Sequence, residues 1–202
     1  MDSLAAAILA FIKTNPGWAV FVIGLTAFGE SLVFLSLLFP GTAILIASGA
    51  LISQGVLDPL LPTVAGIAGA FLGDAISFWI GRKFGPLLPT VWPFRANPKR
   101  LTRGIRFFAR YGETSVFIGR FFGPLRAAVP LSAGVMNMST GRFYMANILS
   151  AMIWAPALIY LGDRLSRALG PDGLATKVFY ITLVAALLTA LASWIHRQLL
   201  VR

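Results

Sequence analysis

Residues 143–162 (FYMANILSAMIWAPALIYLG) run for 20 positions without a charged side chain, and residues 178–195 (VFYITLVAALLTALASWI) run for 18. A helix rises about 1.5 Å per residue, so about 20 apolar residues cross the ~30 Å hydrocarbon core of a bilayer. Both segments therefore predict membrane-spanning helices, the second with Lys177 and Arg197 just outside it. A third segment, 62–81 (PTVAGIAGAFLGDAISFWIG), has the length but encloses Asp74. Composition agrees: 57% of residues are hydrophobic and 12% charged, against about 25% charged in soluble globular chains. A disordered chain is excluded too, because disorder needs low hydrophobicity and high charge. Cysteine is absent, which removes disulfides, thiolate catalysis and zinc–thiolate sites. The one histidine, His196, lies near the C-terminus, so the reading has no metal, no cofactor and no catalytic residue, and the chain is not expected to be an enzyme.

Two further apolar regions are interrupted. In 31–52, Pro40-Gly41 divides two runs of nine to twelve residues, each too short to cross alone. In 113–138, Gly123-Pro124 does the same, with Arg120 and Arg126 on either side. Proline removes a backbone donor and glycine frees φ, so each pair breaks a helix. Upstream, Asn15-Pro16-Gly17 interrupts the apolar stretch 4–29, which reads either as one kinked span or as a surface helix plus a half-span. Between Asp74 and the second broken region, residues 82–110 hold eight basic side chains and no acidic one, whereas the loop expected over 163–177 holds three basic and two acidic. Basic loops stay in the cytoplasm. That places 82–110 inside, and if 113–138 is re-entrant, the spans 143–162 and 178–195 return the C-terminus to the inside. The first twelve residues lack the basic n-region of a cleavable signal peptide.

The two broken regions align. GESLVFLSLLF (29–39) lies over GETSVFIGRFF (112–122), pairing Gly29 with Gly112, Glu30 with Glu113, Val33 with Val116, Phe34 with Phe117 and Phe39 with Phe122. One added residue brings Pro40 to Pro124, and a second brings Gly49 to Gly134. Paired discontinuous helices in two halves of a membrane chain point to a transport site near the midplane, because broken backbone is tolerated in lipid only when buried in protein or lining a wet cavity. The expected architecture is an all-α polytopic transmembrane protein with two re-entrant broken-helix hairpins in inverted repeats. It forms a single membrane domain over 1–202, with repeat 1 over about 11–81, a basic amphipathic segment over 82–110, repeat 2 over about 111–162 and a last helix over 178–195.

Four ionisable residues fall inside apolar sequence: Glu30, Asp74, Arg120 and Arg126. A central Arg or Asp costs about 2.5–3.5 kcal/mol to insert, so such groups face a cavity or pair with one another. The bland reading is structural pairing of Glu30 or Asp74 with Arg120 or Arg126. The sharper one is an anion site. Guanidinium forks beside the N-terminus of the half-helix after Gly123-Pro124 suit a phosphate, and Gly41 and Thr42 begin the corresponding half-helix. Arginine supplies a planar bidentate fork that lysine lacks. Glu30 and Asp74 would repel an anion while charged, so they are candidates for carrying a proton or balancing charge. This reading rests on both guanidiniums being placed to grip a negatively charged head; a structure with both facing bulk solvent, or locked in a dry cluster without room for a ligand, would end it.

Smaller signals take plainer readings. Gly69-x-x-x-Gly73 suits close helix packing, and Trp79, Trp92, Trp154 and Trp194 suit interface anchoring or packing. Residues 94–110 alternate charge with Leu101, Ile105, Phe107 and Phe108, as in a helix lying on an anionic leaflet. Nucleic-acid binding is not expected. No P-loop, zincin or nucleophile-elbow motif is present.

The segment VFIGRFFGPLRAAVPLSAG (116–134), with Glu30 ahead of Pro40-Gly41 and GDAISFWIGRKFG (73–85), resembles the DedA family, also called SNARE-associated or VTT-domain membrane proteins. The resemblance covers about residues 28–162. It implies a lipid transporter with two re-entrant hairpins in inverted repeats, in the bacterial inner membrane. Bacterial members are implicated in returning undecaprenyl phosphate across that membrane, and eukaryotic relatives in phospholipid scrambling. Arg120, Arg126 and Glu30 match residues such proteins need. Several members carry an acidic residue directly after the Pro-Gly, where this chain has Thr42; for a scheme needing two carboxylates in that hairpin the alternatives are that Asp74 substitutes or that proton coupling is absent. The resulting expectation is translocation of a phosphate-bearing lipid, foremost undecaprenyl phosphate, with membrane lipids as surroundings and a homo-oligomer left open. The competitors are a phospholipid scramblase, a proton-coupled small-ion or solute transporter, and a membrane scaffold whose charges are purely structural.

Overall fold

Asn15-Pro16-Gly17 acts as a helix start. Proline's fixed φ suits the first helical position, and helix α1 runs Pro16–Ser31. The structure, a computed structural model, describes residues 10–12, 14–33, 35–36, 41–90, 95, 98–122 and 126–169. Helix α1 stops because Ser77 intervenes: its hydroxyl accepts the Val33 N–H at 3.1 Å and lies 3.3 Å from the Ser31 carbonyl oxygen. Turns over 32–36 follow. The half-helix expected to begin at residue 31 is thus corrected, since the chain has left helix by Leu32 and the helical arm of this region is α1.

Helix α2 is Gly41–Ser53. Its 13 residues span about 20 Å, short of a full crossing. Helix α3, Leu60–Phe84, continues into a 3-10 helix over Gly85–Thr90. Then come α4 (Pro98–Tyr111), the short α5 (Thr114–Gly119) and α6 (Ala128–Val135), and the 30-residue α7 (Thr140–Leu169). The segments Leu60–Thr90 and Thr140–Ala168 are long and apolar enough to cross a membrane. There is no strand among the described residues. The loop expected over 163–177 begins later than predicted, because helix α7 continues to Leu169, with Arg167 paired to Asp163 one turn back at 2.9 Å. The helix breakers Pro40, Gly123 and Pro124, the span 178–195, Trp92, Trp194 and His196 lie outside the described residues.

Helix α3 is the hub, packed against α1, α6 and α7, while α2 packs on α7 and α4 on α6. Glycines set the closest approaches. A Cβ on Gly69 would lie 2.1 Å from the Gly24 carbonyl oxygen, and one on Gly73 2.5 Å from that of Phe28, so the packing role expected of this pair holds between α1 and α3. Two more crossings share one pattern. Where α2 meets α7, a Cβ on Gly49 would strike the Ile159 oxygen at 2.0 Å and one on Gly162 the Ile46 oxygen at 1.9 Å. Where α6 meets α3, a Cβ on Gly134 would strike the Phe78 oxygen at 2.0 Å and one on Gly81 the Leu131 oxygen at 2.1 Å. In both crossings each glycine faces the carbonyl three residues before its partner glycine. Small residues are what allow backbones this close.

Helix α4 differs from its expected role. Its apolar face is spent on protein: Leu101 and Phe108 are buried, Gly104 abuts Ala128 and Ser132 of α6, and Ile105 and Phe107 pack partly inside. Arg103, Arg106 and Arg110 point outward. Among the described side chains of this helix, the apolar face is thus largely covered by protein and the basic face is exposed.

Candidate functional site

Arg120 follows α5, in the turn that ends this six-residue helix, and is 3% exposed. Helix α3 supplies Asp74, also 3% exposed, and α7 supplies Asn147 and Ser150, one turn apart and therefore on one face. Arg120 Nε–H donates to Ser150 Oγ at 2.8 Å, and Nη2 reaches both Asp74 Oδ2 and Asn147 Oδ1. Asn147 Nδ2 in turn donates to the Phe71 carbonyl at 3.0 Å, tying α7 to α3 beside the ion pair. The cage is thus assembled from the two helices long enough to span.

Arg126 sits just ahead of α6, 6% exposed, its N–H bonded to the Phe122 carbonyl at 3.0 Å. Its partners come from α1 and α2. Nη1 donates to Glu30 Oε1 at 2.7 Å and lies 3.5 Å from Thr42 Oγ1, while Nη2 is 3.3 Å from Ser31 Oγ. The guanidinium carbon stands 3.9 Å from the ring centre of Trp154, within cation–π range. Thr42 donates its hydroxyl to Glu30 Oε1 at 2.5 Å. A Cβ on Gly41 would lie 2.3 Å from Glu30 Oε2, so the carboxylate rests directly on the first residue of α2. The N-terminal end of a helix favours an anion, and here that anion is Glu30.

All six residues singled out as substrate-holding or charge-balancing, namely Arg120, Arg126, Gly41, Thr42, Glu30 and Asp74, come together in two adjoining cages. Both carboxylates are paired, Asp74 with Arg120 and Glu30 with Arg126. Neither guanidinium faces bulk solvent: Arg120 is 3% and Arg126 6% exposed, and each is paired with a carboxylate, which weighs against direct head-group access in this arrangement. Each ion nevertheless keeps unused capacity. Glu30 Oε2, Asp74 Oδ1, Arg120 Nη1 and Arg126 Nε are buried and have no hydrogen-bond partner among the described residues. Such groups cost about 1–3 kcal/mol each and call for a functional or structural account. No cluster of three metal-ligating side chains occurs among the described residues. Four contributors were missed in the sequence. Ser31, Asn147 and Ser150 were not singled out, and Trp154, expected as an anchor or packing group, is buried against Arg126. The legible signal was Asn147 and Ser150, polar residues one turn apart inside an uncharged span.

Comparison with known proteins follows the same outline. A family model described as the VTT domain matches residues 39–164, well over half of the chain. The chain is 32% identical over 187 residues to the inner membrane protein YabI of Escherichia coli (strain K12), covering 92% of this chain and 72% of that one. It is 34% identical over 148 residues to the inner membrane protein YghB of the same organism, covering 72% and 67%. Over 167 residues it is 28% identical to undecaprenyl phosphate transporter A of Bacillus subtilis (strain 168), covering 82% and 79%. No solved structure matches it. With two helices long and apolar enough to span, buried arginines and this match, the chain is a helical membrane protein and belongs to the VTT-domain, or DedA, family.

Proposed function

We propose that this protein carries a phosphate-bearing lipid, foremost undecaprenyl phosphate, between leaflets of the bacterial inner membrane. The observation that carries the reading is the seat of Glu30. Its carboxylate occupies the position an anionic head would take, in contact with Arg126, Thr42 and Gly41 at the start of α2. A phosphate with the same charge sign and more acceptor oxygens would replace it there once Glu30 is protonated or swings away, and would use the unbonded Arg126 Nε–H. Proton uptake by Glu30 would then be coupled to phosphate capture. Arg120, held beside it by Asp74, is the second guanidinium of the proposed site. The B. subtilis relative's name, undecaprenyl phosphate transporter, favours this lipid.

The same proposal includes re-entrant hairpins at Pro40-Gly41 and Gly123-Pro124 in inverted repeats of one membrane domain, with residues 82–110 and the C-terminus cytoplasmic. The paired glycine crossings support it: Gly49 and Gly134, aligned by sequence, meet Gly162 and Gly81 in matching contacts, each short helix lying on the other half's long one. One observation favours a second reading. Each arginine is paired with one carboxylate, as in a scaffold whose charges are structural.

Reconstitution separates the two. Purified protein in liposomes receives labelled polyprenyl phosphate beside a labelled phospholipid, and the accessibility of each to an external reagent is followed with and without Arg126. Transport predicts that the polyprenyl phosphate redistributes faster than in empty liposomes and that folded Arg126→Ala protein is inactive. Redistribution of neither lipid rejects the lipid reading, and equal redistribution of both indicates a scramblase.

A further inference from the structure

Acidic side chains are already committed elsewhere among the described residues. Glu30, Asp74, Glu113 and Asp163 each hold an arginine, and Asp58 accepts the Leu60 N–H at 2.9 Å where α3 begins. The other end of α3 has the opposite character. Arg82 and Lys83 lie exposed in its last turn, and Arg95, Arg103, Arg106 and Arg110 follow, also exposed. None of these six makes an ion pair among the described residues. Arg103, Arg106 and Arg110 are three and four residues apart, which lines them along one face of α4, with Thr102 and Ala109 exposed beside them.

The depth of this face in the membrane follows from what α4 packs on. Phe108 shares a cluster with Phe78, near the end of α3, and Phe143, near the start of α7. Leu101 shares another with Leu88 of the 3-10 helix and Leu131 of α6. Helix α4 thus sits where one long helix ends and the other begins. Amphipathic side chains mark the same level: Trp79 Nε1–H donates to the Tyr144 hydroxyl at 2.8 Å, and Arg82 donates to Thr140 Oγ1 at 2.8 Å with its guanidinium carbon 5.7 Å from the Trp79 ring centre. Trp and Tyr gather where hydrocarbon meets head groups, and long basic side chains turn their charge toward that layer.

We infer that α4 binds the anionic phospholipids of the leaflet in which α3 ends, through the charge of its arginine face and without inserting. The inference goes beyond the transport reading, which needs only the buried cluster. The counter-charge is a lipid surface because the face lies at head-group depth. A protein partner's interface core needs apolar or aromatic anchors, and the stripe of Thr102, Arg103, Arg106, Ala109 and Arg110 offers none. Each Lys or Arg close to such a surface contributes about fivefold in affinity.

The test uses the full-length protein in liposomes. The chain has no cysteine, so Ala109→Cys on the stripe and, separately, Leu61→Cys near the start of α3 each carry one fluorophore. Quenching by phosphatidylglycerol and by phosphatidylcholine, both with a nitroxide high on the same acyl chain, reads the local ratio of the two lipids. At position 109 phosphatidylglycerol is expected to exceed its bulk share at least about fivefold, and at position 61 not at all. Salt at 1 M, where the screening length is about 3 Å, should abolish the excess without any substitution in the stripe. Arg103→Gln, Arg106→Gln and Arg110→Gln together should abolish it too, with thermal unfolding unchanged. The corresponding lysine triple should keep it, because a charged layer needs charge and not the guanidinium fork. Equal quenching by the two lipids, or an excess that survives salt or the glutamine triple, overturns the inference. Loss of the excess in the lysine triple overturns it in favour of a bidentate site. Absence of the excess in liposomes, with position 109 shielded from a water-soluble thiol reagent in native membranes until protease or nuclease is added, overturns it in favour of an acidic protein or a nucleic acid.

Discussion

The two arginine cages use the same chemistry on different supports. Arg120 is gripped by Asp74, Asn147 and Ser150, all on the long helices α3 and α7, which are also tied to each other through Asn147 and Phe71. Arg126 is gripped by Glu30, Ser31 and Thr42, at the end of α1 and the start of the 13-residue α2, and two of its three contacts are 3.3 and 3.5 Å long. Glu30 also keeps 14% of its side-chain exposure, against 5% for Asp74. The lesson is that one ion pair fastens the two long helices together, while the other sits where helix ends meet, the place at which the proposed anion exchange would occur.

The largest expected effect breaks the first cage. Arg120→Ala leaves Asp74 buried and uncompensated, which costs about 3–5 kcal/mol. Thermal unfolding in detergent should show a protein that barely accumulates, and replacing Arg120 and Asp74 together with leucine should restore stability without transport. A stable Arg120→Ala protein would erase the distinction between the cages. Next, Arg126→Ala should cost about 1–3 kcal/mol, because Glu30 retains the Thr42 hydroxyl and partial hydration. The protein should accumulate, yet its initial transport rate should fall at least about tenfold, the effect of one lost charge-assisted contact. Glu30→Gln keeps the shape and removes the competing charge. Stability should change by about 1 kcal/mol, phosphate-lipid binding should tighten, and transport should lose its pH dependence; unchanged transport with unchanged pH dependence would remove Glu30 from the coupling scheme. The smallest effect sharpens the second cage. Trp154→Phe keeps an aromatic face beneath Arg126 and should cost only about 0.5–1 kcal/mol, whereas Trp154→Ala should approach the loss expected for Arg126→Ala.

Much of the site was readable because charge inside apolar sequence is expensive. Glu30, Asp74, Arg120 and Arg126 stood out for that reason alone, and pairing was the bland expectation that the geometry meets. Which acid takes which arginine was not readable, since the partners are 46 and 96 residues apart and depend on how α1, α3 and α7 cross. Among the described elements, the long spans followed from run length. The end of α1 did not, because it is decided by Ser77, a residue of another helix. The packing partner of α4 was hidden for a related reason: an amphipathic pattern states that an apolar face will be covered, and not how much of it α6 covers. The glycine crossings were half visible, with Gly49 aligned to Gly134 by sequence and their partners Gly162 and Gly81 appearing only in three dimensions.

Those two crossings carry a consequence for how the chain is built. The short helix of each half is clasped by the long helix of the other, so neither half contains the surface its own glycine needs. Severed between residues 85 and 98 and made as two pieces, the protein should be recovered only when both are present in one membrane.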